Sequence, residues 1–161
     1  MGQLLWISIK HKSLFGSDLI CTSNIAEIKD LIFSVDYNSI KIYKDNNLII
    51  SSDGLMSLAF DGKNYKGENV AFPKKLCLNS DCLEFDWWPY KSKYISFEDR
   101  CDIKHGEYII KAQNFLFHRA LGMTKVKVEV EKTSVNLNLL LACAAFFWLR
   151  SDQARIDGEH S

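Results

Sequence analysis

Apolar and polar side chains alternate through most of the chain, in short runs separated by turn residues. The clearest run, Lys125–Glu131, places three valines on one face and charged side chains on the other, which predicts a strand with one buried face. Ser39–Tyr43 and Leu48–Ile50 predict a hairpin, and Met56–Phe60 runs into the turn pair Asp61-Gly62. The same pattern predicts strands at Val70–Phe72, Leu76–Leu78, Cys82–Phe85, Tyr94–Phe97, Tyr108–Lys111 and Phe115–His118.

Two segments near the start of the chain have different patterns. Ile25, Ile28 and Ile32 follow Asn24 at helical spacing, which predicts a short surface helix with Asn24 as its N-cap. The first residues, as far as Lys12, lack the basic n-region of a secretory signal. Basic residues follow a short apolar stretch too soon for such a signal. We interpret them as a first strand.

The segment Leu139–Leu149 is apolar in every direction around a helix axis, so a helix formed there must be surrounded on all sides. Asn136 is the predicted N-cap, and the helix is predicted to end near Arg150. Its 11 apolar residues would span roughly 17 Å at about 1.5 Å per residue, whereas a bilayer core requires about 30 Å. No transmembrane span is therefore expected, and the strands must surround the helix.

These patterns predict a mainly β (α+β) fold, a closed antiparallel β-barrel that encloses a hydrophobic C-terminal helix. The barrel is expected to span residues 1–151 as a monomeric domain, with a polar tail at 152–161. Three alternatives remain open at this point: a helix buried against one sheet of a layered fold, a pleckstrin-like β-sandwich that binds a protein partner, and a tail-anchored protein.

The alternating strand Lys125–Glu131, a short polar turn and the apolar helix that includes Asn138–Trp148 together resemble the end of the tubby C-terminal-like superfamily. That superfamily includes tubby-like proteins, phospholipid scramblases and LURP-one-related proteins. The resemblance implies a closed barrel threaded by a hydrophobic helix, and a binding or scaffold domain that works at or near membrane lipids without a covalent reaction. It covers about 25 residues and carries no functional residue over.

Charge and cysteine content narrow the function classes. The 161 residues include 20 Lys+Arg and 20 Asp+Glu, so no general electrostatic attraction to nucleic acid is expected. Five cysteines are an odd number at scattered positions, which does not suggest a disulfide framework and favours a reducing compartment. We expect a cytoplasmic protein that can lie at a membrane surface.

The most distinctive binding pattern is the aromatic and basic segment Phe85–Tyr94. Aromatic rings suit the headgroup zone of a membrane, and lysines attract phosphates. We therefore predict that Trp88, Lys91 and Lys93 contact an anionic lipid or another anionic ligand. An extended chain would direct Trp87 and Trp88 to opposite faces, one into the core and the other over a barrel end.

Four other residues could form a metal site. Cys77, Cys82, Cys101 and His105 supply three thiolates and an imidazole, but their spacing is wider than in common zinc knuckles. A small zinc protein or enzyme is thus the weaker alternative. The chain has no nucleophile elbow, metal-binding HExxH or phosphate-binding loop, so we expect no catalytic residues and no cofactor.

Overall fold

The computed structural model of the protein describes residues 4–12, 18–70, 72–88, 100–114, 125–131 and 135–159. Within these residues, twelve strands form one sheet in the order β2-β1-β12-β11-β10-β9-β8-β7-β6-β5-β4-β3, which curls into a nearly closed barrel. The strands are β1 (Leu5–His11), β2 (Leu19–Ser23), β3 (Ile32–Asp36), β4 (Ser39–Lys44), β5 (Asn47–Asp53), β6 (Ser57–Phe60), β7 (Lys63–Lys66), β8 (Lys75–Leu78), β9 (Asp81–Trp87), β10 (Arg100–His105), β11 (Tyr108–Asn114) and β12 (Lys125–Val130). In the described part of the chain, the strands are followed by one α-helix, α1 (Leu137–Glu159).

Sequence neighbours from β3 to β12 pair as antiparallel neighbours in the sheet, and β1 then pairs with β12. The tight turns use residues that tolerate the left-handed backbone region. At the predicted turn between β6 and β7, Asp61 has φ 53° and Gly62 has φ 73°, as a two-residue hairpin of matching twist requires. Asp45 and Asn46 take the same region between β4 and β5.

Helix α1 lies within the curled sheet, as the all-round apolarity of its first half predicted. Every residue from Leu139 to Arg150 is buried. The ring of Phe146 lies 4.9 Å from that of Phe85 on β9, and the ring of Trp148 lies 5.2 Å from that of His11 on β1. Because strands on different sides of the barrel contact the helix, no flank of this segment faces solvent.

Strand β12 has the two faces predicted for it. Val126, Val128 and Val130 are at most 2% exposed, whereas Lys127 and Glu129 are partly exposed. The layered fold and the β-sandwich are therefore excluded as descriptions of this chain, since both would leave one side of α1 outside the sheet.

The first turn of α1 is capped as predicted. The backbone N–H of Asn138 donates to Oδ1 of Asn136 over 2.8 Å, and the N–H of Leu140 donates to the carbonyl of Asn136 over 3.2 Å. The side-chain amides of both asparagines also donate to the carboxylate of Asp61, over 2.6 and 2.5 Å. The β6–β7 turn therefore anchors the start of the helix.

The predicted end of the helix was wrong. Helix α1 continues to Glu159 instead of ending near Arg150. Arg150 thus lies more than two turns before the end of the helix and does not cap its negative end. The prediction placed the end of the helix where the apolar run ends, whereas the polar residues that follow Arg150 continue the helix.

The predicted helix behind Asn24 was also wrong. Only Ala26–Ile28 form a single 3₁₀ turn, and Ile32 begins β3. Asn24 instead holds β1: its Oδ1 accepts the backbone N–H of Trp6 over 3.0 Å, and its amide donates to the carbonyl of Leu4 over 2.8 Å.

Most other strand predictions were confirmed, with small shifts at their ends. Val70 and Phe72 do not form the predicted strand but lie in the connection between β7 and β8. The predicted strands Tyr94–Phe97 and Phe115–His118 lie outside the described residues.

We call the two ends of the barrel the amino end and the carboxyl end. At the amino end, α1 begins beside the β6–β7 turn; the β8–β9 and β10–β11 turns lie at the same end. At the carboxyl end, α1 reaches Arg150 beside Phe72 and Trp87. The turns β3–β4 and β5–β6 and the β7–β8 connection also lie at the carboxyl end.

Replacing Ala145, which is fully buried on α1, tests the enclosure of the helix. Ala145→Asp would place a carboxylate among apolar side chains at a cost of several kcal/mol, against a total stability of about 5–15 kcal/mol. We expect the variant to be unfolded or to lose most of its unfolding free energy in urea titrations. Ala26→Asp, at an exposed position, is the matched control and should change stability by less than about 0.5 kcal/mol. A normally folded Ala145→Asp protein would refute the enclosure.

Candidate functional site

At the carboxyl end of the barrel, backbone hydrogen bonds join several of the described turns. The N–H of Gly54 donates to the carbonyl of Asn38 over 2.5 Å, joining two turns, and the N–H of Gly67 donates to the carbonyl of Met56 over 2.9 Å. Phe85 N–H donates to the carbonyl of Lys74 over 2.8 Å. The β3–β4 turn, the β5–β6 turn and the β7–β8 connection are thereby fixed to one another and to β9.

Large apolar side chains are exposed at this end of the barrel. Leu4, Ile32, Leu48 and Ile109 are exposed at the amino end as well, so exposure alone does not mark a contact surface. The exposed apolar side chains of the carboxyl end, which we call the apolar rim, are Tyr37, Met56, Val70, Phe72 and Trp88, with exposed fractions of 75, 47, 42, 37 and 56%.

Trp87 and Trp88 point to opposite faces of β9, as predicted. The ring of Trp87 packs 5.8 Å from that of Phe147 on α1, and its Nε1–H donates to the carbonyl of Pro73 over 2.7 Å. Trp88 is exposed, and its backbone N–H donates to the carbonyl of Arg100 over 3.1 Å. The core thus fixes Trp87, and this in turn presents Trp88 to solvent.

A cation accompanies the exposed tryptophan. The guanidinium carbon of Arg100 lies 5.4 Å from the centre of the Trp88 ring, within the range of a cation–π contact. Both residues line a groove of about 260 Å³ on the outer face of β10, β11 and β12. Lys111 and Lys127 line the same groove, with Asp102 and Glu129 as its acidic members. An exposed indole therefore lies beside a groove in which cations exceed carboxylates by one.

Sequence reasoning named Trp88, Lys91 and Lys93 as the site. Lys91 and Lys93 lie outside the described residues. Among the described residues, the structure places Arg100 beside Trp88, and the prediction had missed Arg100. The two residues are distant in sequence and meet because β9 and β10 pair with Cys101 opposite Trp87, which places Arg100 opposite Trp88.

The hypothetical zinc site is contradicted. Cys77 and Cys82 lie directly opposite each other on β8 and β9 and form a disulfide, which the number and spacing of the cysteines had not suggested. Cys101 is buried on β10, and burial raises the pKa of its thiol far above the ordinary value. Nowhere in the described part of the chain do three His, Cys, Asp or Glu side chains come together to hold a metal.

His105 has a different partner. Its Nε2–H donates to Oδ1 of Asp81 over 2.9 Å, while the hydroxyl of Tyr65 donates to Oδ2 of Asp81 over 2.6 Å. The ammonium of Lys63 lies 3.8 Å from the same carboxylate. This group of four residues, which we call the Asp81 cluster, joins β7, β9 and β10 at the amino end.

Hydrogen bonding determines the protonation of the cluster. The hydrogen bond from Tyr65 lowers the pKa of the Asp81 carboxyl below its ordinary value, and the hydrogen bond and charge of His105 lower it further. The pKa of Tyr65 is raised, first by burial and then by its bond to Asp81. Asp81 is thus an ionised acceptor with both oxygens occupied, which is an arrangement that holds strands together.

In comparisons with known proteins, no family model, no curated protein and no solved structure matches the chain. Among the described residues, no helix combines the length and the apolarity needed to cross a bilayer.

Asp81→Asn tests the structural role of the cluster. The lost charge weakens both hydrogen bonds, and because the carboxylate is partly exposed we expect a loss of about 1 kcal/mol of unfolding free energy at pH 7. The folded-state pKa is depressed, so this contribution is present above the ordinary value of 3.8 and is lost as pH falls through the folded-state pKa. Urea titrations at neutral pH and near pH 3 measure both effects.

The control for this variant is Asp53→Asn, which changes an exposed carboxylate at the other end of the barrel. It should leave the unfolding free energy within about 0.5 kcal/mol of the wild type. An equal loss in both variants, or a loss from Asp81→Asn that is undiminished in acid, would contradict the assigned role.

Proposed function

We propose that this chain is a non-catalytic binding domain of the tubby C-terminal-like kind, and that the carboxyl end of its barrel contacts anionic membrane lipids. The observation that carries the proposal is the exposed Trp88 with the guanidinium of Arg100 over its ring. The nearly closed barrel around α1 supports the family part of the proposal, because the resemblance of Lys125–Glu131 and the apolar helix implies that architecture.

The chemistry of the apolar rim suits the interface of a bilayer. An indole ring has an apolar body and a polar N–H, and tryptophan is enriched at the headgroup level of membranes for that reason. Phe72 and Val70 on the same rim would add apolar area beside it. Arg100 and the lysines of the groove would meet lipid phosphates, each worth about 1 kcal/mol near an anionic surface.

The charges at the amino end favour the same orientation. Carboxylates exceed cations in its described turns, where Asp45, Asp61, Glu107 and Glu131 are exposed. An anionic surface would repel that end and leave the carboxyl end to approach. A protein-binding module remains the second class, and nothing about the apolar rim favours it over a lipid surface.

Trp88→Ala tests the proposal in co-sedimentation with vesicles of phosphatidylcholine containing phosphatidylserine. Removing the ring should weaken binding about tenfold or more, since burying a large apolar side chain is worth about 1.5–3 kcal/mol. Arg100→Gln should weaken binding to these vesicles and reduce its dependence on salt. Vesicles of phosphatidylcholine alone should bind the wild-type protein less.

Leu48→Ala is the matched control. Leu48 is an apolar side chain that is 52% exposed, close to the exposure of Trp88, but it lies at the amino end beside the β4–β5 turn. We expect its vesicle binding to equal that of the wild type. The proposal fails if the wild type does not bind anionic vesicles, or if Leu48→Ala and Trp88→Ala lose binding equally.

A further inference from the structure

A guanidinium is buried at the carboxyl end of the barrel. Arg150 on α1 is 5% exposed. Its guanidinium carbon lies 4.1 Å from the ring centre of Phe72 and 5.9 Å from that of Trp87. Phe72 is partly exposed and covers the guanidinium from outside, while Trp87 belongs to the core.

This buried charge has no polar partner in the described part of the chain. Its Nε is buried without a hydrogen-bond acceptor, and no ion pair with a described carboxylate is formed. A charge that is largely withdrawn from water is normally paired and hydrogen-bonded, because water solvates it only in part. The two aromatic rings compensate only part of that loss. The site therefore has an unfulfilled preference for an anion.

The guanidinium of Arg150 has N–H groups that are suitable donors for an anion. Aromatic rings contact a guanidinium through its flat faces, whereas its five N–H groups lie in its plane. The planar donor pair matches the two oxygens of one carboxylate or phosphate. Trp87 cannot readily turn away, because its indole N–H is bonded to the carbonyl of Pro73 and its ring is stacked on Phe147.

We propose that Arg150 binds the carboxylate of a small organic acid with an apolar body. A monoanion neutralises a single buried cation, whereas a phosphate dianion would leave an excess negative charge among apolar side chains. The exposed ring of Phe72, which lies over the guanidinium, gives the body of such an acid an apolar surface. This site does not depend on the proposed membrane contact, since a soluble acid suffices to fill it.

Isothermal titration calorimetry of the purified protein with benzoate, at ionic strength matched with chloride, would measure the affinity of the site. A titration to about 10 mM would exceed a Kd of about 1 mM tenfold. The wild type should bind benzoate more tightly than acetate, because only benzoate adds apolar contact. Arg150→Met should weaken benzoate binding at least about tenfold, as expected for loss of a charged bidentate partner. No vesicle is present, so failure here is separate from failure of the membrane proposal.

Two further variants locate the contacts. Arg150→Lys keeps the charge and loses the planar donor pair, so it should also bind benzoate weakly. This variant replaces Arg150→Met in the test if Arg150→Met does not fold. Phe72→Ala should retain acetate binding and lose the preference for benzoate. The inference is overturned if the wild type does not bind benzoate in this range, if both Arg150 variants bind like the wild type, or if inorganic phosphate binds more tightly than benzoate.

Discussion

The constraint on which this structure depends is the complete enclosure of a helical segment that has no polar face. A helix with its side chains is about 10–12 Å across, and Leu139–Arg150 has to be covered around that whole circumference. A flat sheet covers one side only, so the sheet must curl until its ends approach each other. The twelve antiparallel strands and their right-handed twist provide this curvature. The barrel and the helix are thus each required by the other.

Features of the fold that depend only on the spacing of residues close together in the sequence could be predicted. The spacing of the valines of β12 predicted one buried face, and the apolar run of α1 predicted burial on all sides. Both predictions were confirmed. Ile25, Ile28 and Ile32 have a helical spacing, yet the first two pack partly against the core and Ile32 begins an edge strand. A spacing of three and four residues arises by coincidence when a chain turns a corner, and a short segment cannot distinguish the two cases.

Features that depend on register were missed. The turn between β8 and β9 consists of Asn79 and Ser80, so that Leu78 faces Asp81 and Cys77 faces Cys82. The strands predicted at Leu76–Leu78 and Cys82–Phe85 left three residues between them instead of two. In that register Cys77 does not face Cys82, so the disulfide was not predicted. Arg100 was missed for the same reason, because its place beside Trp88 follows from the pairing of β9 with β10. A change of one residue in a turn reassigns every cross-strand neighbour, so candidate sites built across strands need coordinates.

Different kinds of side chain cover the core at the two ends of the barrel. At the amino end, Asp61 takes hydrogen bonds from Asn136 and Asn138, and Asp81 takes them from Tyr65 and His105. The carboxylates that close this end have their partners within the chain, and such groups contribute stability. At the carboxyl end, closure rests on aromatic rings, one of which is exposed beside a cation, while Arg150 is buried without a polar partner in the described chain. Unfulfilled charge and exposed rings cost stability. The two proposals assign the completion of these features to a membrane surface at Trp88 and to a bound carboxylate at Arg150.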